Sequence, residues 1–224
     1  SEDLLLIYTQ IVNQSTKRVY AYEVGVTSKA LNIYQEYYYQ VAEKRDLLER
    51  LEKYILNQAF KNLENIYQET NAYVKLVINV SEKTLNTPNF VGFLIGLYRT
   101  YKIPYEVIQI KVNLKSFKYH YSQKLKELSN YGVIIGIDNL DYLTEEYISV
   151  FHLTKRQNLE EEKTQSFLKM LNEYLNKQNM PLIVYNVDTH REREILAELK
   201  IDYIRGKLVD NELSLEKLKK VLKG

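Results

Sequence analysis

The sequence contains no cysteine, which excludes disulfides, cysteine-ligated zinc, iron–sulfur clusters and thiol catalysis. Glycine is scarce, at 7 residues, and proline scarcer, at 3. Few tight, glycine-dependent loops are therefore available, and a glycine-rich phosphate cradle is disfavoured. No GxxxxGKS/T, GxGxxG or GxSxG motif occurs. Neither sign of charge dominates: 31 Lys and Arg stand against 29 Asp and Glu, a net charge of +2. No global field calls for nucleic acid or anionic lipid. No apolar run reaches the roughly 18 residues of a spanning helix, and the opening Ser1-Glu2-Asp3 lacks the basic region of a signal peptide. The expectation is a cytoplasmic chain without membrane contact. What is present is ordinary for a folded protein: 224 residues, 45% hydrophobic and 27% charged, with 21 tyrosines. One domain of about 200–250 residues, such as an α/β barrel, fits that length as well as two small ones.

Hydrophobic periodicity sets the order of elements. Leu4 to Val12 and Val19 to Val24 read as a hairpin around the turn residues Asn13-Gln14-Ser15-Thr16. Gln40 to Tyr67 reads as one helix, because Leu47, Leu48, Leu51, Tyr54, Ile55 and Ala59 recur at three- and four-residue spacing. Strands and helices then alternate. Strands are expected over 73–80, 107–114, 133–137, 150–153, 181–187 and 202–204, and helices over 88–101, 121–130, 159–177, 190–199 and 213–222. About eight strands joined by helices mean βαβ units and a mostly parallel sheet. The fold class is α/β, a barrel rather than an open doubly wound sheet. Its first two strands lack a helix between them, so one of them must run antiparallel. No linker or internal repeat interrupts residues 1–224, which are read as a single domain.

Local signals are weak. His120, His152 and His190 show no metal-type spacing and are expected at the surface or at helix ends. Tyr34, Tyr37, Tyr38 and Tyr39 suit packing in a tyrosine-rich chain or stacking on a base or a partner. Lys217, Lys219, Lys220 and Lys223 lie where a helix macrodipole is negative, and Glu160-Glu161-Glu162 where one is positive.

Several segments, in order, resemble the EAL domain family, the cyclic di-GMP phosphodiesterases. Val19-Tyr20-Ala21-Tyr22-Glu23-Val24-Gly25 is similar to the opening strand with its Glu-Ala-Leu signature, of which the Glu is kept. Gln40-Val41-Ala42-Glu43 resembles Pro-Leu-Ala-Glu, and Val77-Ile78-Asn79-Val80-Ser81 the Val-Asn-Leu-Ser segment. Gly132 to Asp138 resembles the strand that carries paired aspartates, and Val184 to Thr189 the Ala-Glu-Gly-Val-Glu-Thr segment. Asp202-Tyr203-Ile204-Arg205-Gly206 resembles the closing Asp-Tyr-Val-Gln-Gly. The resemblance covers nearly the whole chain and implies a modified TIM barrel with an antiparallel first strand. It also implies hydrolysis of a phosphodiester by two Mg²⁺ or Mn²⁺ ions, held mostly by carboxylates at strand C-terminal ends.

Carried over residue by residue, that site is depleted. Glu23, Asn79 and Asp138 are retained, while the Glu of the next strand falls at Lys111. The second Asp falls at Asn139, the Glu of Ala-Glu-Gly at Tyr185, and the last Glu at the shorter Asp188. The phosphate-holding Arg falls at Thr27, the Gln before the final Gly at Arg205, and the family's catalytic Lys matches Lys155. The glycine-containing loop after the paired aspartates, which couples site to dimer interface in the family, is replaced by Asn139-Leu140-Asp141-Tyr142-Leu143. Two carboxylates and one ammonium cannot balance two dications. At ligand distance the ammonium alone opposes each dication by roughly 8 kcal/mol at an effective dielectric near 20. Lys111 is expected to pair with Glu23 or Asp138, with no metal cofactor. The resulting reading is a catalytically inactive EAL-like domain, a regulatory or protein-interaction module in cyclic di-GMP-type signalling. Its partner would be a protein or an adjacent signalling domain, with cyclic di-GMP bound weakly or not at all. The alternative is a non-hydrolysing cyclic di-GMP receptor in which Arg205 contacts a phosphate; an active phosphodiesterase and an unrelated barrel stand behind it.

Overall fold

A computed structural model describes residues 4–28, 35–155 and 157–223. Tyr34 of the tyrosine cluster, Arg156 and the opening Ser1-Glu2-Asp3 lie outside the described residues.

The chain opens with a hairpin, β1 (Leu4–Asn13) and β2 (Arg18–Ser28). Asn13 makes the turn, its side-chain Oδ1 accepting from the backbone N–H of Ser15 and of Thr16 at 3.0 Å each, the Asx geometry that lets asparagine mimic backbone. Two helices follow, α1 (Gln35–Lys44) and α2 (Leu48–Thr70). The single helix expected over Gln40 to Tyr67 is therefore broken. Asp46 has φ 59, a left-handed conformation that ends one helix before the next begins. The apolar spacing over Leu47 to Ala59 begins after the break and gives no sign of it.

From there strands and helices alternate: β3 (Leu76–Ser81), α3 (Glu82–Leu85), α4 (Phe90–Tyr101), β4 (Ile108–Asn113), α5 (Tyr119–Asn130), β5 (Ile134–Ile137) and β6 (Val150–Thr154). The chain continues with α6 (Glu162–Lys177), β7 (Leu182–Tyr185), α7 (His190–Glu198), β8 (Tyr203–Ile204), β9 (Glu212–Ser214) and α8 (Leu215–Lys223). Strands β2 to β8 pair in parallel, and β1 closes the ring by pairing antiparallel with both β2 and β8. The fold is the eight-stranded modified TIM barrel with an antiparallel first strand. The short β9, absent from the sequence-based expectation, adds to β1 antiparallel at Ile7 to Thr9.

Alternation along the strands sorts side chains by face. Leu76, Ile78 and Val80 of β3, with Ile108, Ile110 and Val112 of β4, join the large core shared with the helices. Leu56, Phe60, Leu63 and Ile66 of α2 are fully buried against it. The opposite faces fill the barrel. Ile11, Ala21, Val77, Val150, Ile183 and Tyr185 form a separate apolar cluster, edged by Tyr20, Ile134 and Tyr203. The barrel interior is thus a packed plug below and polar toward the C-terminal ends of the strands, where barrel sites assemble.

The C-terminal lysines do more than face a helix dipole: Lys219 and Lys223 of α8 pair with Glu69 of α2 at 2.6 and 3.1 Å. Tyr38 and Tyr39 of α1 pack partly buried against the main core, whereas Tyr37 stays exposed.

Candidate functional site

Strand register brings the polar residues together. Glu23 on β2 lies beside Val77, and Asn79, two residues on, lies beside Lys111 of β4. Lys111 lies beside Gly136 of β5. At the centre is Glu23, only 6% exposed. Its Oε1 accepts from Asn79 Nδ2 at 2.6 Å and faces Lys111 Nζ at 3.6 Å. Its Oε2 accepts from the guanidinium of Arg205. Arg205 follows β8, next to Gly206, whose φ of 151 and close approach to the Val187 backbone leave no room for a Cβ. Burial alone would raise the Glu23 pKa; Lys111, Arg205 and the Asn79 hydrogen bond outweigh it and hold the carboxyl below the usual range.

Tyr185 of β7 forms the wall. Its ring centroid is 4.0 Å from Lys111 Nζ and 5.7 Å from Arg205 Cζ, so both cations meet its negative π face. Burial, and next the negative charge of Glu23, push the Tyr185 phenol well above its ordinary pKa. Its hydroxyl meets His152 Nδ1 at 2.9 Å, and His152 Nε2 meets the Gln109 amide nitrogen. With that amide as donor, Nε2 accepts and the neutral ring carries its proton on Nδ1, which donates to Tyr185 Oη.

His152 corrects the sequence reading. It is 1% exposed, inside the barrel rather than at the surface or a helix end. Burial first, then the Lys111 charge, hold its pKa well below the ordinary value. The histidine fits because β5 has Gly136 opposite: a Cβ there would come within 3 Å of both the His152 and Gln109 side chains. The detectable signal was the strand alternation Val150, His152, Thr154. His120 and His190 do sit at the starts of α5 and α7.

The other named residues are elsewhere. Asp138 is exposed just past β5, on the rim, near enough for its charge to act on Tyr185. Asn139 caps the following turn, accepting from Asp141 N–H at 2.8 Å and donating to Leu114 O at 2.9 Å. Asp188 is exposed and accepts from Lys207 N–H at 2.9 Å. Lys155 pairs with Glu192, the residue that completes the Thr189 capping box of α7. Thr27 lies near the end of β2 opposite Leu5, half-buried. Beside the barrel mouth is a groove of about 1110 Å³, bordered by Ser81, Asn86, Asn113 and Asn139, the carboxylates Glu43, Glu82, Asp138 and Asp141, and Lys83 and Lys115.

A model of the EAL domain matches residues 1–211. The chain belongs to the EAL domain family. Solved EAL structures share its fold at low identity. The EAL enzyme Bd1971, bound to cAMP and cyclic di-GMP, superposes with a TM-score of 0.86 at 19% identity over 99% of this chain. This chain spans 65% of the length of Bd1971. The PaMucR phosphodiesterase in its c-di-GMP complex gives 0.83 at 16% identity, covering 97% of this chain and 94% of that one. The Xanthomonas citri FimX EAL domain, also with c-di-GMP, gives 0.82 at 14%, covering 95% and 89%. No curated protein sequence matches the chain.

The metal pair that the EAL resemblance implies does not fit these residues. Hard dications need several carboxylate or carbonyl oxygens with lone pairs to spare. Among the described residues no three His, Cys, Asp or Glu gather as ligands, and both Glu23 oxygens already face cationic or amide donors. Among the described residues no helix is long and apolar enough to cross a membrane.

Proposed function

We propose that this EAL domain does not hydrolyse cyclic di-GMP and acts as a cytoplasmic regulatory or protein-interaction module in cyclic di-GMP-type signalling. One observation carries the reading: Glu23, the retained carboxylate of the signature strand, is enclosed by Asn79, Lys111 and Arg205. Without metal ions, no water at this site has its pKa lowered enough to become a nucleophile at neutral pH. The loss extends to the other roles. Lys155, at the position of the family's catalytic lysine, is engaged by Glu192, and Asp188 is tied to a backbone N–H across the Lys207 turn.

The alternative, a receptor that binds the nucleotide without cleaving it, draws on the groove at the barrel mouth, which has the volume for a dinucleotide. Its charge argues against that. Four carboxylates outnumber the two lysines on its border, and a dianion needs charge-assisted donors aimed at its phosphates. Arg205, the donor that the receptor reading relies on, is committed to Glu23. Calorimetric titration with cyclic di-GMP, with and without Mg²⁺, separates the two readings. The interaction-module reading expects no saturable heat at micromolar nucleotide. A dissociation constant in the low-micromolar range or tighter, with or without metal, would establish the receptor.

A further inference from the structure

We infer that a metal-free charge clasp holds the polar end of the barrel interior, in which Lys111 and Arg205 take over from divalent cations the task of neutralising and orienting Glu23, and through which Arg205 anchors the turn leading to β9. The donor set is the first ground. The carboxylate is almost wholly buried, and each of its oxygens has a cation: Oε1 faces Lys111 at 3.6 Å and Oε2 accepts from Arg205. Asn79 fixes its plane with a 2.6 Å hydrogen bond. A buried carboxylate persists only when so compensated.

The second ground is how the cations are held. Lys111 is 7% exposed and sits over the Tyr185 ring at 4.0 Å, so it has left water for an aromatic face and one carboxylate. Arg205 Cζ lies 5.7 Å from the centroid of the same ring. Its Nε is buried without a hydrogen bond and points to Asp210, 3.6 Å away. Asp210 in turn accepts from Gly206 N–H at 2.9 Å. Lys111, Arg205, Glu23 and Asp210 therefore form a set of zero net charge, requiring no ion from solution. The clasp also links distant parts of the chain: Glu23 belongs to the second strand, and Asp210 lies two residues before β9.

A clasp of this kind has a signature that a vacated ligand site lacks. Removing only Glu23's charge strands the buried Lys111 and the half-buried Arg205, whereas removing Glu23 and Lys111 together removes a matched pair. The experiment is thermal unfolding of the full chain and its variants in EDTA and in millimolar Mg²⁺ or Mn²⁺. We expect the wild type to melt at the same temperature in all three. Glu23→Gln should melt roughly 5–10 °C lower, and the double variant Glu23→Gln/Lys111→Met should melt above the single Glu23→Gln. A metal-dependent rise in the wild-type melting temperature, or a double variant melting no higher than Glu23→Gln, would overturn the clasp. If Glu23→Gln cannot be purified folded, hydrogen exchange of Arg205→Gln decides. The clasp requires faster exchange at residues 206–214, and unchanged protection there refutes it. The inference concerns the same site as the proposed function but reads melting and exchange, so its failure would leave the nucleotide titration to be judged separately.

Discussion

A buried histidine beside a buried lysine must stay neutral, and His152 shows what that does to stability. Its pKa is depressed in the folded chain, by burial and then by Lys111, while in the unfolded chain it returns to about 6.5. Between those two values the unfolded state binds the extra proton. Stability therefore rises with pH through the unfolded value and falls as pH drops below it. We expect the wild type to lose stability between about pH 7 and 5 with a slope that His152→Gln flattens, measured as urea midpoints across that range. An unchanged slope in the variant would contradict the buried, neutral assignment. Glu23, with a depressed pKa, works in the window below: its stabilisation is present above the unfolded glutamate value near 4.3 and is lost in stronger acid. At this scale the sequence was partly legible. Lys111 at a carboxylate position announced a cation beside Glu23, because charge type can be read directly. His152 could not be recognised as internal until its strand was placed, since one residue of register decides whether a side chain enters the barrel or faces a helix.

Elements carry the site by their register. The apolar runs of β3, β4 and β7 were legible because strands packed on both faces are nearly continuous in Val, Ile and Leu. The break between α1 and α2 was hidden, because the apolar spacing that marks the helix begins at Leu47, just after the left-handed Asp46. Strand β9 was hidden because three residues carry no periodicity; its pairing with β1 is set by tertiary context. Strand β5 shows an element shaped by its neighbours, since Gly136 is the space occupied by Gln109 and His152. The variant Gly136→Ala should lower stability by about 1–3 kcal/mol through overpacking, read as a shift in denaturant midpoint. The further substitution His152→Ala, which vacates that space, should recover part of the loss. Failure of the second change to recover any of it would mean that the strain lies elsewhere.

For the whole molecule, the fold is the family's, although Lys111, Asn139 and Tyr185 stand where the EAL pattern places carboxylates. The outward faces of the strands and the helices form the large core, and the fold is shared with solved EAL structures at TM-scores of 0.82–0.86 despite 14–19% identity. The site rests on the inward-facing C-terminal positions, where substitution alters charge without disturbing the outer core. Fold and site can therefore diverge independently. Of the positions named from the family pattern, Glu23, Asn79, Lys111, Tyr185 and Arg205 meet in one cluster, while Asp138 stands on the rim and Asp188 and Lys155 are engaged elsewhere. The most direct test of the account follows linear product formation from cyclic di-GMP with Mg²⁺ or Mn²⁺, comparing the wild type with the triple variant Lys111→Glu, Asn139→Asp and Tyr185→Glu. Ligands act as one unit, so Lys111→Glu alone should stay silent. The account predicts no turnover above background by the wild type, and any recovered activity only in the triple variant; metal-dependent hydrolysis by the wild type would contradict it.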